Sequence, residues 1–452
     1  MPQPKKASYF IFGRLYLGKS SVSYYFYRNK ITAILSVLKV LKSNIFFLKS
    51  FFKNNGFWTA SAMLISKLVL LLVNIYVARV LLKEDLGMVF KVQNFISFFI
   101  PFVGLGTYQG LLKFGSQLDR SIDFENLEAY SLYYGLLGQL VINALVFILA
   151  LVMFGQQLEV FFLVLWFLVR LMGLFFLEIY KASCRASFRN RKFALLEIVS
   201  SVALLALALG LTPLLGLRGY VLALCLSPYF IFFLGFRKFR KVELKPLSVK
   251  SLWRFNLSTA AASLMQELFL LTDIFMIGVL FSEGVLAEYK TASLIPLNLI
   301  FLSRVFIHND YPKLCKHHQD KAFIKRYITQ YLVLFSALSV LILGLGTAYA
   351  NEIMSLFGTQ YLGQTHLFNI FLGAAVIGMM LRTPFSNLVF AIERTRLHLI
   401  ISTLSVVLLV LLIFALQPYF GILGVGYAHL LAVFFSGVLY SGVVIKYLMR
   451  LR

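Results

Sequence analysis

The chain has 452 residues, of which 60% are hydrophobic and 13% are charged, and its formal net charge is +25. Soluble globular proteins average about 45–50% apolar and about 25% charged residues, so this composition excludes an ordinary soluble enzyme. It also excludes a disordered chain, which would be poor in apolar residues. The three cysteines, Cys184, Cys225 and Cys315, form no spaced pairs, so they indicate neither a disulfide framework nor a cysteine metal site.

Twelve apolar segments are each long enough to cross a bilayer, whose hydrocarbon core of about 30 Å requires roughly 20 residues of helix. The sequence therefore predicts an all-α polytopic membrane protein. The predicted spans are 57–82, 88–113, 129–154, 160–180, 194–215, 218–236, 255–281, 287–307, 327–350, 366–390, 397–417 and 419–445.

Basic residues are unevenly distributed between the two sets of connecting segments. With residues 1–56 placed in the cytoplasm, the cytoplasmic segments hold 33 Lys and Arg residues, whereas the opposite side holds only Lys83 and Arg218. This asymmetry predicts that both termini face the cytoplasm. The excess positive charge is then mostly a consequence of membrane topology, and it does not indicate nucleic-acid binding.

The segment before the first span, residues 1–56, contains ten Lys and Arg residues and no acidic residue. Four lysines within 31–53 share one face of a helix of about 100° per residue: Lys39, Lys42, Lys49 and Lys53. The pattern favours an amphipathic helix that lies on an anionic cytoplasmic leaflet. A loose basic tail that helps to orient the first span is the alternative interpretation.

The two halves of the chain resemble each other. Residues 74–102 align without a gap on residues 273–301, at a shift of 199 residues, and a second match occurs at a shift of 205. The identical pairs include Glu84 with Glu283 and Lys91 with Lys290 at the first shift, and Gly216 with Gly421 and Gly219 with Gly424 at the second. Six spans per half give both halves the same orientation, so the repeat is a parallel one.

The repeat predicts two six-helix lobes that face each other across a central cleft. The expected organisation is a basic cytoplasmic segment at 1–56, an N-terminal lobe at 57–236, a cytoplasmic linker at 237–254, a C-terminal lobe at 255–445 and a cytoplasmic tail at 446–452.

An ionisable side chain within a span is expected to face a cavity or a partner, because its insertion costs at least about 2.5 kcal/mol. Lys67 and Asn74 are seven residues apart and share a helix face. Their repeat equivalents, Gln266 and Asp273, share the matching face of the seventh span, and Arg170 lies near the middle of the fourth. We predict that this stripe lines the cavity, with interhelical hydrogen bonding as the alternative.

Other charged residues of the spans have less certain roles. Lys91 and Lys290 occupy equivalent places in the repeat and either contact substrate or anchor the membrane interface. Arg382 lies two residues before Pro384, where a kink would expose backbone carbonyls. Three more basic residues, Arg79, Lys113 and Arg304, lie near span ends and are expected to reach the interface.

Acidic side chains are fewer within the spans. Asp273 is the deepest, and it is expected to pair with Lys67 or Arg170 across the cleft or to carry a proton or a sodium ion. Glu267 is a second candidate for that coupling role. Glu178 and Glu197 flank the basic loop around 181–192 and are expected to pair with it.

No catalytic constellation is evident in the sequence. The longest segment on the side opposite the cytoplasm is 351–365, and no phosphate-cradling GxxxxGK[ST] loop is present. His317, His318 and Cys315 have metal-binding side chains, but a solvated basic surface explains them better. We therefore predict a protein that is not an enzyme and that needs no cofactor and no metal.

Several motifs resemble those of one transporter superfamily. They are Ala78-Arg79 through Leu86-Gly87 (ARVLLKEDLG), Gly104-Leu105-Gly106 at the end of the second helix, Asp273 to Gly278 followed by Glu288-Tyr289 and Ala292, and Tyr419-Phe420-Gly421-Ile422 with Gly424. The chain resembles the multidrug/oligosaccharidyl-lipid/polysaccharide flippase superfamily, and within it the branch that flips lipid-linked O-antigen or capsule repeat units. It departs from the pattern in having Lys83 where that family carries glycine, and residues 1–56 have no counterpart there.

The resemblance implies a polyprenyl-pyrophosphate-linked oligosaccharide as substrate, alternating access and a cationic cavity in a bacterial cytoplasmic membrane. Lys67 and Arg170 are expected to clamp the pyrophosphate while the polyprenyl tail stays in lipid between the lobes. A monomer is expected, with polysaccharide assembly proteins as further partners. The alternatives are a multidrug or cation antiporter of the same superfamily, a peptidoglycan-precursor flippase, which usually has fourteen spans, and a polytopic glycan polymerase.

Overall fold

Helices form all the regular structure in the residues that the computed structural model describes, which are 56–116, 118, 121–234, 249–392 and 394–451. The predicted amphipathic helix at 31–53 lies outside these residues, as does most of the linker at 237–254. The α-helices are α1 Gly56–Val80, α2 Lys83–Ser97, α3 Thr107–Gly115, α4 Ser121–Phe154, α5 Leu158–Ala186, α6 Asn190–Leu215, α7 Leu217–Leu226, α8 Val249–Leu280, α9 Glu283–Lys316, α10 Lys321–Ala348, α11 Ala350–Ser355, α12 Thr365–Ile377, α13 Thr383–Ala391, α14 Thr395–Phe420 and α15 Ile422–Arg450.

The span count agrees with the prediction of twelve. Ten helical stretches in the described ranges are long and apolar enough to cross a membrane, and two bent pairs complete the twelve if each pair is one span. The pairs are Lys83–Ser97 with Ile100–Gly115, bent by 43°, and Val249–Met265 with Glu267–Leu280, bent by 51°. Several helices extend beyond the apolar core: the eighth span was predicted at 287–307, whereas α9 continues to Lys316.

The second span, predicted at 88–113, is broken in its middle, at the Gly104-Leu105-Gly106 motif. A 3₁₀ turn, Ile100–Gly106, follows α2 and contains Pro101, and Gly104 has φ +55°, yet α3 continues the span to Gly115. The backbone N–H of Gly104 donates to Oε1 of the buried Gln139 at 2.9 Å. A broken helix is tolerated inside a membrane when a side chain from a neighbouring helix satisfies the freed backbone group.

The tenth span is interrupted in a different way. Between α12 and α13, residues Gly378–Arg382 form a π-helical turn directly before Pro384, and the N–H of Thr383 donates to the carbonyl of Gly378. Such turns are rare and occur frequently at functional sites. The last residue of this turn, Arg382, is one of the basic residues predicted to lie in the cavity.

The backbone confirms the repeat at the second of the two matches. Gly216 has φ +58° and ψ −133°, and Gly421 has φ +56° and ψ −132°. The two residues separate α6 from α7 and α14 from α15, so the same turn occurs twice, 205 residues apart. Residues with a Cβ rarely adopt this conformation, so glycine is needed at both positions.

The first match needs a correction of one residue in its register. Helix α1 ends at Val80 and α8 at Leu280, and the next helices begin at Lys83 and Glu283, so the structural offset is 200 rather than 199. One residue corresponds to about 100° around a helix. Lys91 and Lys290 therefore do not occupy equivalent places, and by the same shift Asn74 and Asp273 do not either.

The described helices belong to one compact unit, within which α1–α7 and α8–α15 form the two halves. Helix α1 packs mainly on α6, and α14 packs on α15. Contacts between the halves are made chiefly by α2 with α9 and by α3 and the 3₁₀ turn at 100–106 with α8. Helices α1 and α9 make few contacts with each other, and we call the region between them the cleft.

Polar contacts join the halves at the end of the bundle where α2 and α9 begin, which we call the paired end. Lys83 forms an ion pair with Glu288, and Lys91 Nζ lies 2.9 Å from Glu283 Oε1. Arg79 Nε donates to the carbonyl of Leu356 at 2.6 Å. Gly87 lies so close to Glu283 that an added Cβ would stand 1.8 Å from the Glu283 carbonyl oxygen. Charge and close backbone contact therefore keep this end together.

Substitution of Gly421 by alanine is expected to destabilise the protein by about 1–3 kcal/mol, since alanine would be forced into the φ +56° conformation. The space around Gly421 is open, so no steric clash contributes. Gly210→Ala is the matched control, because Gly210 also has open space but lies within α6. Thermal unfolding in detergent measures both, and equal melting temperatures for the two variants would contradict the argument.

Reversal of one charge at the paired end is expected to open it. Lys91→Glu places two carboxylates together. The variant loses the ion pair, which is worth about 0.2–1 kcal/mol, and adds repulsion between the carboxylates. The fraction of molecules in which the paired end is open should therefore rise several-fold. Spin labels at Leu82 and Leu362, both exposed, would report a longer distance. The double exchange of Lys91→Glu with Glu283→Lys should restore the original distance. An Arg218→Glu control that lengthened the distance equally would show that the pair is not responsible.

Candidate substrate cavity

A cavity of about 190 Å³ lies within the second half of the chain. Helices α8, α9, α13, α14 and α15 and the π-helical turn enclose it. Its polar lining comprises Glu267, Arg304, Arg382, Thr383, Ser386, Asn387, His398, Ser402, His429 and Tyr440. Two arginines and a single carboxylate give this lining a positive balance.

The two arginines reach the cavity from different helices. Arg304 lies on α9 and is exposed, whereas Arg382 is half-buried at the end of the π-helical turn. The Arg382 guanidinium lies 3.6 Å from the centroid of the Phe269 ring, a cation–π contact that orients it. Arg304 is close enough to act electrostatically on Arg382. The cavity thus presents two neighbouring guanidinium groups.

Lys67 approaches the same region from the other half. Its side chain is exposed although it lies in the middle of α1. Its charged neighbours are Arg304 and Glu267, both cavity-lining residues of the other half, together with Glu197 of α6. Lys67 therefore lies on the side of α1 that is near Arg304 and Glu267 of the other half, although it is not itself among the residues that line the cavity. Asn74, on the same helix face, is buried.

Asp273 lies beside the cavity in a polar cluster. Its carboxylate is almost completely buried, and Oδ2 accepts a hydrogen bond from the Tyr289 hydroxyl at 2.8 Å. His429 Nδ1 lies 2.9 Å from the same oxygen. Since His429 also lines the cavity, it connects Asp273 to the cavity. Lys290 is close enough to Asp273 to interact with it electrostatically.

Arg170 occupies a separate position in the first half. Its guanidinium lies 5.5 Å from the Phe167 ring centroid, and its polar neighbours are Tyr220 and Cys225. The buried Nη1 has no hydrogen-bond partner within the described residues. The structure does not bring Arg170 to Lys67, whose charged neighbours are different ones. The side chain of Gln266 lies outside the described part of the structure.

Lys91 and the basic loop around 181–192 make their contacts away from the cavity. Lys91 is in the ion pair with Glu283 at the paired end. It also borders a smaller cavity of about 40 Å³, which α2, α4 and α8 line with mainly apolar side chains such as Phe95 and Phe275. The predicted pairing of the basic loop is confirmed, since Lys181 lies 2.9 Å from Glu178 and 3.0 Å from Glu197.

Sequence reasoning did not identify several residues of the cavity: Arg304, His398, His429, Asn387 and Tyr440. Arg304 appeared to be near a span end because the apolar run stops at 307, whereas α9 continues to Lys316 and places Arg304 well inside the helix. For His398, His429 and Asn387, the available signal was the presence of a histidine or asparagine within an apolar segment. In the described residues no three His, Cys, Asp or Glu side chains cluster as metal ligands.

Comparisons with solved structures identify the fold. The chain is 15% identical to an inward-facing MATE multidrug transporter of the MOP superfamily, with a TM-score of 0.64 over 85% of this chain and 95% of that one. A mutant of the Vibrio cholerae MATE transporter VcmN is 18% identical, with a TM-score of 0.63 over 89% and 98%. The lipid II flippase MurJ, in an inward closed conformation, is 14% identical, with a TM-score of 0.65 over 87% and 89%.

No curated protein sequence matches the chain significantly. A family profile does match, over residues 76–366, and its description is polysaccharide biosynthesis protein. The matched segment covers more than half of the chain and includes the paired end, α9 with Arg304, and Asp273 with Tyr289. The chain therefore belongs to this family of polysaccharide biosynthesis proteins, and its fold is that of the MOP-superfamily exporters.

Proposed function

We propose that this membrane exporter flips polyprenyl-pyrophosphate-linked oligosaccharides across the bacterial cytoplasmic membrane for polysaccharide biosynthesis. The proposal depends above all on the three cations around one cavity, Lys67, Arg304 and Arg382. A pyrophosphate carries about two negative charges, and a charged group inside the bilayer is costly unless it has a partner or water. Basic side chains at the cavity would supply that partner during transit.

Arg304 and Arg382 take the role that sequence reasoning assigned to Arg170. Arginine binds phosphate oxygens in a bidentate manner, and two guanidinium groups at one cavity suit a ligand with two phosphates. Lys67 adds a third positive charge from across the cleft. Arg170 lies within the first half and away from this group, so we assign it no contact with the head group.

The cleft between α1 and α9 supplies a route for the lipid tail. These helices make few contacts, and Lys67 and Arg304 lie on its two walls. A polyprenyl chain would stay in the bilayer at this opening while the head group enters the cavity. The name of one structural relative, the lipid II flippase, describes a lipid-linked cargo of this kind.

The distribution of basic residues supplies an orientation. The positive-inside rule places both termini in the cytoplasm and the paired end on the opposite side. In this orientation the ion pairs close the outer side, and the cleft receives its substrate from the cytoplasmic side. We propose a monomer for the transport unit, with membrane lipids and polysaccharide assembly proteins as its partners.

A multidrug or cation antiporter is the second candidate, because two of the structural relatives are multidrug transporters or their MATE relatives. Organic cations require carboxylates for binding. The cavity lining has one carboxylate, Glu267, beside two arginines, so an anionic ligand fits it better.

We propose that Asp273 binds the ion that couples transport to an ion gradient. It is buried next to His429, which reaches the cavity, so a proton or sodium ion arriving there would change the charge beside the substrate. Glu267 is also on α8, but it is exposed in the cavity and is better placed to contact substrate.

Removal of the cavity cations should abolish export. Arg304→Ala and Arg382→Ala each remove charged hydrogen bonds worth about 1.5–3 kcal/mol, which corresponds to roughly ten- to hundredfold less transport. Complementation of a strain that lacks its polysaccharide flippase, with surface glycan as the readout at matched protein levels, tests this. Arg218→Ala is the matched control. Wild-type glycan from the Arg304→Ala/Arg382→Ala double variant would refute the proposal, as would resistance to organic cations without glycan export.

Two neutralising substitutions on α8 separate coupling from binding. Asp273→Asn should abolish ion movement driven by substrate, because no titratable carboxylate remains in the buried cluster. Glu267→Gln should retain ion movement and change only the substrate concentration at half-maximal transport. Proteoliposomes with a trapped pH dye, or with radioactive sodium, measure both variants. Loss of coupling in Glu267→Gln alone would contradict the assignment of Asp273.

A further inference from the structure

The π-helical turn leaves one backbone carbonyl without its usual donor. In a π-helix each carbonyl accepts from the N–H five residues later, as Gly378 accepts from Thr383. The residue five positions after Met379 is Pro384, which has no N–H. The hydroxyl of Tyr331 on α10 donates to the Met379 carbonyl at 2.8 Å instead. A side chain from another helix thus completes the turn.

The same hydroxyl also contacts Ser303. The Ser303 Oγ and the Tyr331 hydroxyl form a hydrogen bond between two buried groups. Ser303 precedes Arg304 directly on α9, and Met379 lies three residues before Arg382. One phenol therefore connects the two chain segments that carry the cavity arginines.

Packing holds the Tyr331 ring in place. It is nearly parallel to the Phe335 ring, with 4.3 Å between centroids and an interplanar angle of 17°. Phe306 approaches at 5.9 Å, and the group forms a small hydrophobic cluster with Met379. A hydroxyl on a ring fixed in this way has little freedom, so the bridge is a rigid one.

We propose that Tyr331 is a positioning residue that fixes the separation of Arg304 and Arg382 and so selects a ligand with two adjacent phosphates over one with a single phosphate. The inference rests on the proposed function, because it assumes that both arginines bind the head group. Two guanidinium groups held at a constant separation engage both phosphates of a diphosphate without a further loss of entropy. A single phosphate gains much less from this spacing.

The chain supplies a matched control one turn earlier on α10. Tyr327 is stacked against Tyr331, with 6.4 Å between ring centroids. Its hydroxyl is buried and has no hydrogen-bond partner among the described residues. Tyr327→Phe and Tyr331→Phe therefore remove the same atom from neighbouring positions, and only the second breaks the bridge.

The experiment measures the binding of inorganic pyrophosphate and orthophosphate to the full-length protein in nanodiscs by calorimetry. The wild type should bind pyrophosphate at least about tenfold more tightly than orthophosphate. Tyr331→Phe should weaken pyrophosphate binding about tenfold, which is the effect expected if one hydrogen bond between an arginine and the ligand is lost. The same variant should change orthophosphate binding less than about twofold. Tyr327→Phe should behave as the wild type. Melting temperatures of both variants check that the fold persists.

Three outcomes would overturn the inference: no preference for pyrophosphate in the wild type, an equal loss of both anions in Tyr331→Phe, or equal effects of the two phenylalanine variants. Competition by a short-chain polyprenyl diphosphate in the nanodisc distinguishes a lipid-linked diphosphate from a soluble one. The complementation assay reports separately on the proposed function. Altered selectivity in Tyr331→Phe without glycan export by the wild type would support the positioning role and refute the flippase assignment.

Discussion

The arrangement of this protein follows from one constraint: a charge or an open backbone group inside a bilayer needs a partner or water. At the paired end the lysines have glutamate partners, and Arg79 has backbone carbonyls. The carboxylate of Asp273 accepts a hydrogen bond from Tyr289. Lys67, Arg304 and Arg382 instead border the cavity and the cleft, where an anion would satisfy them.

The same constraint governs the breaks in the helices. The turn at 100–106 is stabilised by Gln139, and the π-helical turn is stabilised by Tyr331. The first break packs on α8 between the halves, and the second carries Arg382, which lines the cavity. A proline lies in or just after each break. In both cases a buried polar side chain from another helix forms a hydrogen bond with the backbone group that the break leaves unpaired.

Sequence reasoning predicted the helical fold, the twelve spans and the repeat, because these depend on local apolar length and on glycine positions such as Gly216 and Gly421. It did not find the role of Arg304, since the length of an apolar run understates a helix that continues into water. The positions of Lys91 and Lys290 depend on a register of one residue, which rotates a side chain by about 100° and which a weak repeat does not determine.

The two ion pairs of the paired end are only partly buried. The charged side chains of its two ion pairs retain between 16% and 33% of their exposure, so water screens them. Exposed pairs of this kind contribute about 0–1 kcal/mol each, whereas a tenfold change in population requires about 1.4 kcal/mol. The pairs therefore favour the closed arrangement without trapping it. Full burial of the same four groups would make their separation far more costly.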